Sequence, residues 1–245
     1  MLLTQLNYDL RMFFRELFYL VFTIVIPPAS YMFLGQLFTG NVYGDGLNYV
    51  QFYTPSFIIL ITFSVVFFAF GFDEVMNRSL GIEKRINATP VNGKIVLLSN
   101  ILKSIIITSF GFLLITVIGI LMYDLSISAE SLLLAFIAFI CINAILLTIS
   151  SAIYSFFNEM KSALVFSIVI FQVVIFTGDF TMPVESMPEF VQFIANLNPI
   201  FHLNHLFVAI WNQVFEWNSE TLVSISYIAG FVIVSFLVLV WKRKR

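Results

Sequence analysis

Six stretches of this chain are apolar for long enough to cross a lipid bilayer. A helical span needs about 20 mainly apolar residues, because the hydrocarbon core is about 30 Å thick and a helix rises about 1.5 Å per residue. Residues 17–38, 52–72, 95–122, 132–154, 163–178 and 222–241 meet or approach that length. None alternates apolar and polar residues as a barrel strand does. Hydrophobic residues make up 60% of the 245 and charged residues 11%, where a soluble domain carries about 25% charge. That balance excludes an ordinary soluble protein, and it excludes disorder, which needs low hydrophobicity. The expected fold class is an all-α membrane protein: one transmembrane domain over 1–245, with six transmembrane helices.

Six crossings also sort the charges. Arg11, Arg15, Arg78, Lys84, Arg85, Lys94, Lys103, Lys161, Lys242, Arg243, Lys244 and Arg245 all fall on one side. The other side holds Asp45, Asp124, Glu130, Asp179, Glu185, Glu189, Glu216 and Glu220 and no basic residue. The positive-inside rule makes the basic side cytoplasmic. The expectation is a multi-pass protein of the cytoplasmic membrane with both termini inside. Lys103 falls near the start of the third stretch, where its stem can snorkel. No basic cluster leads the first stretch and no small-residue cleavage site follows it, so it is expected to remain a helix rather than act as a signal peptide. The one cysteine, Cys141, excludes a disulfide framework and a multi-cysteine metal site.

Three segments depart from plain spans. In 1–16, Leu2, Leu3, Leu6, Leu10, Phe13 and Phe14 recur at helical spacing opposite Gln5, Asn7, Asp9, Arg11 and Arg15. Such a helix can lie in the cytoplasmic interface, its basic side near anionic headgroups, or it can simply extend the first span. Pro27 and Pro28 interrupt that span. Residues 73–94 form the longest cytoplasmic connection, alternating in charge sign up to Arg85 before Thr89-Pro90 and Asn92-Gly93 punctuate the chain. A short charged helix and a turn are expected there, as a docking surface or as a solvated loop. Residues 179–219 are apolar but broken by Pro183, Pro188 and Asn198-Pro199. A crossing here would put the basic C-terminus on the acidic side. A re-entrant hairpin of two short helices between the fifth and sixth spans is expected instead, with Ser186 capping the first and Asn198 the second, which Pro199 opens.

Little in the sequence speaks for catalysis. Gly93-Lys94 is followed by Ile95, and no glycine lies five residues before Gly93, so no phosphate loop is present. His202 and His205 share a helix face, but two ligands without a nearby third make a poor metal site; interfacial polar contacts are the expected role. Glu185 and Glu189 near these histidines would suit an intramembrane protease only if they lay within a span. Asn143 and Gln172 are the clearest polar residues inside spans, placed either to line a path or to hydrogen-bond across helices. No charge is expected at mid-span, which leaves no ion-coupling relay. No catalytic residue, metal or cofactor is expected in this chain.

The arrangement resembles the membrane subunit of an ABC-2 type transporter over nearly the whole chain. Arg15-Glu16-Leu17 leads into a first span broken at Pro27. Gly81-Ile82-Glu83-Lys84-Arg85 followed by Thr89-Pro90-Val91 is similar to the family's coupling helix and its Thr-Pro-Val turn. Gly178-Asp179-Phe180-Thr181-Met182-Pro183, then Met187-Pro188, resembles the family's lead into the outer re-entrant helices, and Asn198-Pro199 the Asn-Pro that follows. The chain departs from many members in carrying Leu206-Phe207 where they have an arginine after the Asn-Pro. The resemblance implies a permease that exports amphipathic cargo such as drugs, peptides, lipids or polysaccharides. It implies a second permease subunit, identical or homologous, and two separate ATPase subunits that bind the ATP and Mg. It places ATPase coupling at Glu83, Lys84, Arg85, Thr89 and Pro90, and an outer gate at Pro183, Pro188, Asn198 and Pro199. The bilayer is the other expected partner, and nucleic acid is not one. The alternative is a non-transporting immunity or sensor protein of the membrane.

Overall fold

The structure, a computed structural model, describes residues 2–38, 40, 42–43, 47–82, 93–180 and 182–243. Helices dominate them. Helix α1 is Leu2–Arg15, and after a break at Glu16 a helical run, α2, covers 17–37. Two short strands, Val42–Tyr43 and Leu47–Asn48, pair antiparallel and lead into α3, Tyr49–Ser79. Next come α4 (Gly93–Tyr123), α5 (Ala129–Tyr154) and α6 (Met160–Thr177). Two shorter helices, α7 (Glu189–Asn196) and α8 (Pro199–Trp211), precede α9 (Ser219–Arg243).

Five of these helices are long and apolar enough to cross a membrane outright: α3, α4, α5, α6 and α9. The all-α membrane class expected from the sequence is therefore observed, but the expected first span, 17–38, is not among these five: its helical run is broken by the π-helical turn before Pro27. α3 is the central pole, with its most apolar window 100% buried, whereas that of α9 is 11% buried and faces outward. α3 packs against α2, α4 and α8, and its inner half also meets α5. Aromatic side chains fill the spaces: Tyr31, Tyr53, Phe57, Phe63, Phe112, Phe139 and Tyr154 are all fully enclosed.

Local sequence explains where the helices start and bend. Asn48 and Gln51 close a reciprocal capping box at the head of α3, and Ser128 caps α5. The break expected at Pro27 and Pro28 takes a specific form. A proline ring crowds the carbonyl four residues earlier and offers no N–H to it. Those carbonyls belong to Thr23 and Ile24, and both lie in a π-helical turn, Val21–Val25, whose wider winding relieves the crowding. A second π-helical segment, Val65–Phe70, lies inside α3, and Ser150 donates to its Val66 carbonyl at 3.2 Å. Thr62, Ser64, Thr116 and Ser167 donate to carbonyls one turn back, which satisfies their hydroxyls where lipid offers no partner.

The second span does not end at residue 72. Its helix continues through Asp73 and Glu74 to Ser79, so the connection to α4 begins only at Leu80. The charged residues stay helical because each finds a partner inside the bundle, as described below. Gly81, at φ +66, takes the left-handed conformation that stops the helix.

Candidate functional site

Contacts between helices divide the molecule into a basic end, where α1 and the tail of α9 lie, and an acidic end, where α7 and α8 lie. Each end carries a polar cluster.

At the basic end, Lys103 of α4 points into the bundle and pairs with Asp73 of α3. Its side chain is 7% exposed and that of Asp73 is 21% exposed. The lysine therefore does not snorkel to the surface, contrary to the sequence expectation. A partner within reach satisfies the ammonium without the cost of stretching to water. One turn before Lys103, buried Ser99 donates to Asp9 of α1 at 2.6 Å, and Gln5 donates to the same carboxylate at 2.8 Å. α1 is thus packed on α4, with Phe13 buried and Leu3 and Phe14 exposed. Glu74 accepts a hydrogen bond from Ser151 of α5 at 2.7 Å. Arg78 donates to the carbonyls of Tyr154 and Phe157 at 2.9 and 2.7 Å, placing a cation at the C-terminal end of α5. Gly71 lets Tyr154 pass: a Cβ there would sit 2.2 Å from its ring. Lys242 lies 4.6 Å over the ring of Phe156 and closes the end of α9 onto α5. Breaking a buried ion pair by removing one partner costs about 3–5 kcal/mol, so the Asp73–Lys103 pair is the contact here that tolerates least change.

At the acidic end, Asp179 anchors the turn after α6. It sits at φ +57; its carboxylate accepts from the Val184 N–H at 3.1 Å and meets Nε2 of His205 at 3.2 Å. Asn204, fully buried, donates to the Gly178 and Asp179 carbonyls at 3.0 and 2.9 Å. Asn198 does two tasks. Its carbonyl oxygen caps α8 through the Ile200 N–H at 3.0 Å, and its amide donates to Thr177 at 2.9 Å. His202 bridges the Asn196 carbonyl at 2.9 Å and the Ser224 hydroxyl at 3.0 Å. A carbonyl only accepts, so Nε2 carries a proton toward Asn196. Tyr227 donates to the Leu197 carbonyl at 2.7 Å. These contacts fasten the turn between α7 and α8 to α6 and α9. The two helices meet at 83° and do not form one continuous helix. α8 begins beside Thr177, at the acidic end of α6, and beyond its last turn Gln213 donates to Ser131, at the acidic end of α5.

The residues singled out in the sequence fare differently. Glu83, Lys84, Arg85, Thr89 and Pro90 lie outside the described residues. Pro183 precedes a short 3₁₀ turn, Val184–Ser186. Pro188 itself occupies the position before α7; Ser186 does not cap that helix, because its hydroxyl donates back to the Pro183 carbonyl at 2.7 Å. Asn198 caps α8, and Pro199 opens it. Asn143 is buried and donates to Thr108 across the α5–α4 contact at 2.5 Å. Gln172 is on the exposed face of α6, among Ile168, Val169 and Phe176. His202 and His205 make polar contacts, as expected. Sequence reasoning missed Asp73, Lys103, Arg78, Thr177 and Asn204. The lone lysine inside an apolar stretch was the visible signal for the first pair, but its partner is 30 residues away. Among the described residues, no group of three His, Cys, Asp or Glu is arranged to hold a metal ion.

A family model described as "ABC-2 type transporter" matches residues 2–211, which takes in every helix from α1 to α8. The chain belongs to the ABC-2 type transporter family. Among curated proteins, this ABC-2 chain is 24% identical over 192 residues to the probable multidrug ABC transporter permease YbhR of Escherichia coli (strain K12). The YbhR of Escherichia coli O157:H7 matches it to the same extent. The match takes in 75% of this chain and 51% of each relative, so it spans about half the length of the proteins it resembles. The family and the five long apolar helices make this a membrane protein of several spans.

Proposed function

We propose that this chain is the permease subunit of an ATP-driven exporter in the cytoplasmic membrane. The family match across residues 2–211 carries the reading. Force would come from two copies of a separate ATPase subunit that bind ATP and Mg, and a second permease subunit, identical or homologous, would complete the path. The cargo class is amphipathic, in keeping with the multidrug label of the relatives.

Orientation follows from charge. The basic end faces the cytoplasm, with both termini, and the acidic end faces out. α1 lies along the inner interface, its exposed Leu3 and Phe14 in the lipid. Glu83, Lys84, Arg85, Thr89 and Pro90 dock the ATPase. The α7–α8 pair is the outer re-entrant gate built on Pro183, Pro188, Asn198 and Pro199; its two ends both touching the acidic end supports a dip rather than a crossing. Gln172, exposed on α6, lines the path, whereas Asn143, bonded to Thr108, packs helices.

The test is reconstitution. The chain, purified with its ATPase partner into vesicles, is expected to move an amphipathic dye only when ATP is supplied on the basic side. Absence of any co-purifying ATPase, or dye movement indifferent to ATP, would leave the immunity or sensor reading in its place. Cysteines at Ser186 and Ser219, in a Cys141→Ala background, should both react with an impermeant thiol reagent added outside. Labelling of only one rejects the dip.

A further inference from the structure

The two helices that flank residues 83–92 are cross-braced, and the brace has a use. Asp73 lies six residues before the end of α3 and Lys103 ten residues after the start of α4. At about 1.5 Å per residue, their contact sits roughly 9 and 15 Å from the two helix ends. A push on the connection between those ends would splay two unbraced helices, and the motion would dissipate there. With the ion pair in place, the ends shift together. Further contacts pass the shift on. Arg78 and Glu74 hold α3 to the end of α5 through Tyr154, Phe157 and Ser151, and Ser99 holds α1 through Asp9. Apolar packing at the same place would stabilise as well, since a buried ion pair is rarely worth more than a hydrophobic replacement. Apolar surfaces can slide past one another; a single ammonium against one fixed carboxylate sets one register.

We propose that Asp73, Lys103 and Arg78 are positioning residues of energy coupling: they make the basic ends of α1, α3, α4 and α5 one block, so that force delivered to residues 83–92 moves the bundle rather than parting α3 from α4. The role in coupling rests on the exporter reading above; the brace itself does not.

Two measurements test it. The first is cargo moved per ATP hydrolysed, in vesicles holding the chain and its ATPase. Asp73→Lys and Lys103→Asp should each lower that ratio by about tenfold, within the 5–150-fold range typical of coupling between sites. The swap Asp73→Lys/Lys103→Asp should recover most of it. The second needs no ATPase. Spin labels at exposed Ser79 and Leu97 should give one narrow distance distribution in the parent chain and in the swap, and a broad one in Lys103→Met. A distribution as narrow in Lys103→Met as in the parent overturns the brace. So does a swap that folds and binds ATPase but hydrolyses ATP without moving cargo. If the parent chain moves no cargo with ATP, the exporter reading fails, and the spin-label arm still decides whether the block exists.

Discussion

The two ends of the bundle are fastened by different chemistry. At the basic end Lys103, Arg78, Asp73, Asp9 and Glu74 are each tied to another helix, three of them to side chains or carbonyls that are largely enclosed. At the acidic end the work falls to Asn198, Asn204, His202 and Tyr227, amide, imidazole and phenol groups that donate to carbonyls and a hydroxyl, with the partly exposed His205–Asp179 contact beside them. A charge left alone in a protected site is expensive, whereas a neutral hydrogen bond nets about 1 kcal/mol and can be exchanged for water. The basic end is therefore built to hold one arrangement, and the acidic end to let go at modest cost.

The largest test of this contrast is Lys103→Met, which strands the Asp73 carboxylate. The folded state should lose about 3–5 kcal/mol, read as a marked fall in the unfolding midpoint in detergent, and adding Asp73→Leu should restore much of it. A negligible shift would erase the distinction between the ends. Asn204→Ala comes next, leaving the Gly178 and Asp179 carbonyls without their donor at a cost of about 1–3 kcal/mol. Amide exchange should rise in α7 and α8 and stay unchanged around Lys103; a rise at both ends would show that they are not independent. Asn198→Ala removes a helix cap and the Thr177 contact, for about 1 kcal/mol. It should impair export more than ATPase binding, and an equal loss of both would indicate general misfolding rather than a gate. The smallest effect on stability belongs to Gln172→Leu, at an exposed site where changes stay within about 0.5 kcal/mol. Its unfolding midpoint should match the parent while transport of amphipathic cargo changes, and unaltered transport would remove Gln172 from the path.

Much of the architecture was legible in the chain. Long apolar runs can be satisfied only as helices in lipid, so the helices at 95–122, 132–154 and 222–241 are found within a few residues of where hydropathy put them. The turn at Asn198-Pro199 was equally plain, because a side-chain cap followed by a residue without an N–H is a local instruction. Ser186 misled for the same reason in reverse: its hydroxyl had a nearer acceptor in the Pro183 carbonyl. The end of the second span could not be read correctly, since charge after residue 72 suggests water, and only the positions of Lys103, Ser151 and the α5 terminus show that these charges have partners without it.

What the sequence determined by itself, then, is what depends on neighbours along the chain: the long apolar helices, the cap and start of α8 at Asn198-Pro199, and the disturbed winding before the paired prolines. Only the tertiary structure decided that Asn143 faces a partner and Gln172 faces out, and that Lys103 turns inward to Asp73. Helical periodicity gives each side chain a direction relative to its own axis, but which direction is inside depends on the helices packed around it, and those come from 30 to 90 residues away.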